Sequence, residues 1–150
     1  MLHVTAAFLL VGGSVAAGAL SVLAQRSERP SEAALFLRLI KIPTVPVIGV
    51  GVLGTLVFGI WLWHHQGYGI GTAWIWASVV LWAVSNELGR RGGKAQEETR
   101  KYAEELAAAG DAPNEELRAR LRDPRANLLS WLAGAATLGV LVLMIWKPGS

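Results

Sequence analysis

Four long apolar runs, separated by stretches that hold most of the charge, set the pattern of this chain. The runs cover roughly Leu2–Ala24, Val45–Trp63, Ile70–Leu88 and Leu128–Trp146. Each is close to the roughly 20 residues that a helix needs to cross about 30 Å of hydrocarbon. A non-helical crossing would leave backbone N–H and C=O groups unpaired in lipid, so the runs predict four transmembrane helices. The expected fold is all-α: a single integral membrane domain, an up-down four-helix transmembrane bundle.

Lysine and arginine orient these spans. They fall in the first loop, Gln25 to about Thr44, and in the third, Gly89–Asn127. The short turn His64–Gly69 has neither. The positive-inside bias then makes loops one and three cytoplasmic and puts the N- and C-termini outside. Trp61, Trp63, Trp74, Trp76 and Trp146 fall at outer helix ends and Trp131 at an inner one, where amphipathic rings prefer the interface. The first run lacks the preceding positive charge of a signal peptide; its bases, Arg26 and Arg29, follow it. An uncleaved span is therefore expected.

The loops carry their own elements. Ser31–Ile42 reads as a helix running into the second span, with Ser31 as its cap. Arg38 and Lys41 share a face toward lipid headgroups. Pro43 and Pro46 interrupt the hydrogen-bond ladder there and predict a kink. In the helical cytoplasmic loop, about 89–127, Lys94–Ala109 forms a charged helix in which Glu97 and Glu105 flank Lys101 at helical spacing. Gly110 ends it. Asp111-Ala112-Pro113 starts a short helix with Leu117 and Leu121 on one face, and Asp123-Pro124 closes it. Small residues recur every fourth position in the spans, at Gly13, Ala17 and Ser21 and at Gly51, Thr55 and Gly59. Such faces let helices approach closely, within one bundle or between copies in a homo-oligomer.

Composition agrees with this class. The 150 residues are 53% hydrophobic and 17% charged. A soluble domain of this size has too little interior to hide that much apolar surface. The net charge of +3 comes from bases beside apolar spans, which points to anionic lipid and away from nucleic acid. With no cysteine, disulfides, thiolate metal sites, iron–sulfur clusters and covalent c-type haem are excluded.

Candidate chemistry gathers at the expected outer side. His3 begins the first span, His64 and His65 end the second, and Met1 and Met144 lie at the same level. Histidine and thioether sulfur suit copper, and two histidines on facing helices suit b-type haem. The set His3, His64, His65 and Met144 is the candidate ligand group; the alternative is that these histidines are simply interfacial. Glu87, beside Asn86, is a charge at the inner end of the third span, and Arg90 and Arg91 are placed to pair with it. Lys147 is placed to snorkel at the outer end. Gly67–Gly71 lacks the strand–loop–helix context of a phosphate loop and reads as a tight turn. No span carries a central carboxylate, which disfavours a proton-coupled transporter, and neither an inverted repeat nor a nucleophile–base pair is visible.

Leu2-His3-Val4, Gly12-Gly13, the stretch His64 to Gly69, Ala73-Trp74-Ile75 and the closing Leu143–Gly149 resemble a family of small bacterial integral membrane proteins that share a domain of unknown function. The resemblance covers essentially the whole chain and implies the bacterial cytoplasmic membrane. The wider arrangement looks like the copper-resistance D membrane domain and, more distantly, HemJ-type haem-synthesis proteins. Those likenesses imply copper handling or b-type haem. His3 matches the first-span histidine of the HemJ group. Ile70–Leu88 has no lysine to match that group's third-span lysine, so protoporphyrinogen oxidation is not expected. Three functions stand open: a non-catalytic accessory or assembly protein with a membrane protein partner, a haem- or copper-binding protein, and a small transporter.

Overall fold

The computed structural model describes residues 1–66 and 73–146, which form helices and short connections without a strand. In chain order the helices are α1 (Leu2–Arg26), α2 (Pro30–Leu39), α3 (Val45–Gln66), α4 (Ala73–Ala108), α5 (Glu115–Leu121) and α6 (Pro124–Trp146). Among the described residues three stretches, Leu2–Arg26, Pro30–His65 and Glu115–Trp146, contain helix long and apolar enough to cross a membrane. The run expected at Ile70–Leu88 begins outside the described residues and continues as the first part of α4.

The protein is an all-helical assembly of two antiparallel pairs. α1 packs along α3, and α4 packs along α6. The pairs are joined at the loop end, where α2 lies against α4 and α1. That end holds the densest apolar packing. Ala33 and Ala34 of α2 meet Ala103 of α4 and Leu117 of α5, with Leu106 and Leu121 alongside. Leu37, Ala24 and Ile40 form a second buried group. Leu117 and Leu121 do share one face, as their spacing predicts.

Small residues set the approach of α1 to α3. A methyl group on Gly51 would lie 2.5 Å from the backbone nitrogen of Leu10. One on Gly13 would meet the side chain of Ile48, and one on Gly54 would meet Ala6. Backbones this close gain dispersion contact that larger side chains would prevent.

Several loop expectations are corrected. The third apolar run and the charged helix are not separate: α4 is one helix of 36 residues, about 54 Å at the usual rise. It passes through Gly89, Gly92 and Gly93 and so extends well beyond any hydrocarbon core. At Gly92 a Cβ would sit 3.3 Å from the Ser130 hydroxyl of α6, so glycine here serves close packing of two helices.

At Pro43 the α-helical hydrogen-bond ladder is interrupted, as expected, and the helix continues. A π-helical turn over Ile40–Thr44 carries α2 directly into α3. Pro43 has no N–H to offer the Leu39 carbonyl, and the Thr44 hydroxyl donates to that oxygen instead at 2.9 Å. Pro46 falls in the first turn of α3.

Ser31 is not the cap of α2, which begins at Pro30 after Arg29. Its backbone N–H and its hydroxyl donate to the carboxylate of Asp111, at 2.7 and 2.6 Å. Asp111 is thereby diverted from α5, whose first turn is capped by Asn114 accepting from the Leu117 N–H at 2.9 Å. Gly110 ends α4 as expected, with φ +124. The Asp111 N–H returns to the Leu106 carbonyl, the six-to-one bond that closes a helix C-terminus.

Glu97 does not pair with Lys101. It accepts from Lys41 at 2.7 Å and from Arg100 at 2.9 Å, tying the π-helical turn to α4. These two cations, Arg100 first, hold its carboxyl down at about 2.

Candidate functional site

The end opposite the loops carries the histidines. α3 continues to Gln66, so His64 and His65 stand on its last helical turn. Both are exposed. His65 stacks on Trp61 one turn earlier, with ring centroids 5.2 Å apart and planes 9° from parallel. His3 is different. It is half-buried at the start of α1, with its ring against Gly59 of α3. A Cβ on Gly59 would lie 3.4 Å from the ring carbon Cε1, so this glycine makes room for the imidazole. The His3 Nδ1 is buried without a hydrogen-bonding partner. Met144 is half-buried on α6, and Lys147 lies outside the described residues, as does Gly67–Gly71. Among the described residues no three His, Cys, Asp or Glu side chains come together as a metal-binding group.

Glu87 sits where the sequence puts it, among arginines. Arg90 donates from Nε and Nη2 to its two oxygens at 3.0 Å each, and Arg91 donates from Nε at 2.7 Å. Its charge is thus matched within its own helix.

The polar contacts that join the helices were not singled out by sequence. Within the α4–α6 pair, the Ser85 hydroxyl donates to the Ala133 carbonyl at 2.9 Å and lies 2.8 Å from the Thr137 hydroxyl. Gln25 of α1 donates to Asn127 of α6 at 3.0 Å, and Gln96 of α4 donates to Ser21 of α1 at 3.1 Å. These last two bonds cross between the helix pairs. They line a cavity of about 170 Å³ together with Thr99 and Ser130. The available signal was spacing: Ser21 and Gln25 lie four apart, as do Ala126 and Ser130 flanking Asn127. Trp82 of α4 also has a buried indole Nε1 without a partner.

α1 presents a second face. Gly12, Ala16 and Ala19, within one helical stripe, are exposed, and no atom lies within 4 Å of where a Cβ on Gly12 or Gly18 would be. Only 11%, 11% and 6% of the most apolar windows of the three spanning stretches is buried, so most of their surface is free for lipid or for other helices.

An integral membrane protein built of paired apolar helices is the class these features define. The chain belongs to the family described as predicted integral membrane protein (DUF2269), whose model matches residues 1–148. No curated protein and no solved structure matches it.

Proposed function

We propose that this is a multi-pass protein of the bacterial cytoplasmic membrane that acts as a non-catalytic accessory or assembly subunit for another membrane protein. Four spans cross the bilayer, with both termini outside and the α2–α5 end in the cytoplasm. The positions of lysine and arginine and of the tryptophans support this orientation.

One observation carries the reading. The stripe Gly12–Ala16–Ala19 on α1 is an exposed small-residue face that no helix among the described residues covers. In lipid, helices associate through such faces because they admit close backbone approach. The neighbouring stripe, with Gly13 and Ala6 buried, is already used by α3. The test is purification from native membranes in mild detergent. The protein is expected in a defined complex with a second membrane protein. Recovery as a lone 16.0 kDa chain in its detergent micelle contradicts the reading.

A second reading, b-type haem or copper at the histidine end, has the unpartnered His3 Nδ1 in its favour. His3 with His64 or His65, and Met144 for copper, would hold the group; haem or copper would supply redox chemistry there. A Soret band or bound copper in the purified protein, lost on His3→Ala, supports it. A colourless, copper-free protein after expression with both supplied rules it out.

A further inference from the structure

Arginines from two separate helices face one another across an open cleft of about 500 Å³ at the loop end. Arg26, the last residue of α1, forms one wall. Arg118 and Arg122, four apart and so on one face, form the other at the end of α5. Glu28 and Glu115 also line it. Glu115 is committed to Arg118 at 2.9 Å. Arg26 and Arg122 enter no ion pair among the described residues.

We propose that this cleft binds the phosphate of an anionic phospholipid headgroup from the cytoplasmic leaflet. Three guanidinium groups against two carboxylates leave the lining net positive. Guanidinium forks match phosphate oxygens in bidentate geometry, which an isolated surface charge does not. The volume falls within the roughly 300–1,000 Å³ typical of sites that enclose small ligands. Arg26 lies only two positions beyond the expected end of the first span, Ala24, so the cleft opens at headgroup depth. Basic pockets beside transmembrane helices on the cytoplasmic side take up anionic lipid for this reason. The walls belong to helices far apart in sequence, so the site is a product of the fold and not of one basic run. The source of the phosphate rests on the proposed orientation; the affinity of the cleft does not.

The test is a titration of the purified full chain in neutral detergent with phosphatidylglycerol, read by native mass spectrometry. Phosphatidylcholine, which carries the same phosphate but whose choline cation leaves it without net charge, serves as the comparison. Arg26→Gln with Arg122→Gln is expected to weaken phosphatidylglycerol binding about 30-fold, from roughly fivefold per arginine. Lys94→Gln with Lys101→Gln removes the same charge away from the cleft and is expected to leave binding unchanged. Glu28→Gln is expected to strengthen binding about fivefold, a gain that misfolding does not produce. Equal binding of phosphatidylcholine, or an equal loss in the lysine variant, overturns the site. Full displacement of the lipid by millimolar inorganic phosphate reassigns the cleft to free phosphate and overturns the lipid assignment. Because the titration involves neither a bilayer nor a partner protein, its failure is distinct from failure of the accessory role.

Discussion

Asp111 and Ser31 are 80 residues apart in sequence, yet the Asp111 carboxylate accepts both the N–H and the hydroxyl of Ser31. The contact pins the turn after α4 to the first turn of α2. The carboxylate sits below its ordinary value of 3.8, chiefly through the Ser31 hydroxyl and then its N–H. Glu97 is held at about 2 against an ordinary 4.5. A lowered folded pKa means that the ionised form stabilises the fold. That contribution is complete above the ordinary value and is lost as pH falls toward the folded one. Thermal unfolding in detergent is therefore expected to hold steady from neutral pH down to about 5 and to fall below that. Asp111→Asn is expected to lower the melting temperature at neutral pH and to flatten the acid decline. An unchanged acid profile contradicts the role given to this pair.

The Gly51–Leu10 approach leads to a paired comparison. Gly51→Ala drives a methyl into backbone, which cannot turn aside as a side chain can. The expected cost is about 1–3 kcal/mol. Gly49→Ala, with nothing within 4 Å of its Cβ, is expected within about 0.5 kcal/mol of wild type. Reversible unfolding in mixed micelles measures both. Equal effects would mean that α1 and α3 are not packed in this register.

Between α4 and α6, the Ser85–Thr137 contact is expected to couple energetically. A double-mutant cycle with Ser85→Ala and Thr137→Val is expected to give about 0.6 kcal/mol and no more than about 1.7. Coupling indistinguishable from zero would place these hydroxyls on separate helix faces.

The helices were legible in the sequence because lipid demands a long apolar run, and Val45–Trp63 and Leu128–Trp146 supply one without ambiguity. The Glu87–Arg90–Arg91 cluster was legible because its partners lie on one helix. What the sequence hid was non-local. Lys41 competes with Lys101 for Glu97, and Ser31 draws Asp111 away from α5, each across more than fifty residues. The π-helical turn was hidden for another reason: the Thr44 hydroxyl substitutes for the donor that Pro43 lacks, a local repair that apolar periodicity does not register. Sequence put His3 at the same end as His64 and His65 but not against Gly59, since that contact depends on the depth at which α1 and α3 cross.

The accessory role stands on the open stripe of α1, and one measurement reaches it directly. Gly12→Leu with Ala16→Leu fills that stripe at two exposed positions, at the first of which a Cβ meets no other described residue within 4 Å. Native mass spectrometry of the complex purified from its own membranes, for wild type and variant, is the measurement. The account predicts a wild-type complex with a second membrane protein and a variant that is folded, as stable as wild type, and alone. A variant that keeps the partner at wild-type stoichiometry, or a wild-type chain that carries none, contradicts it.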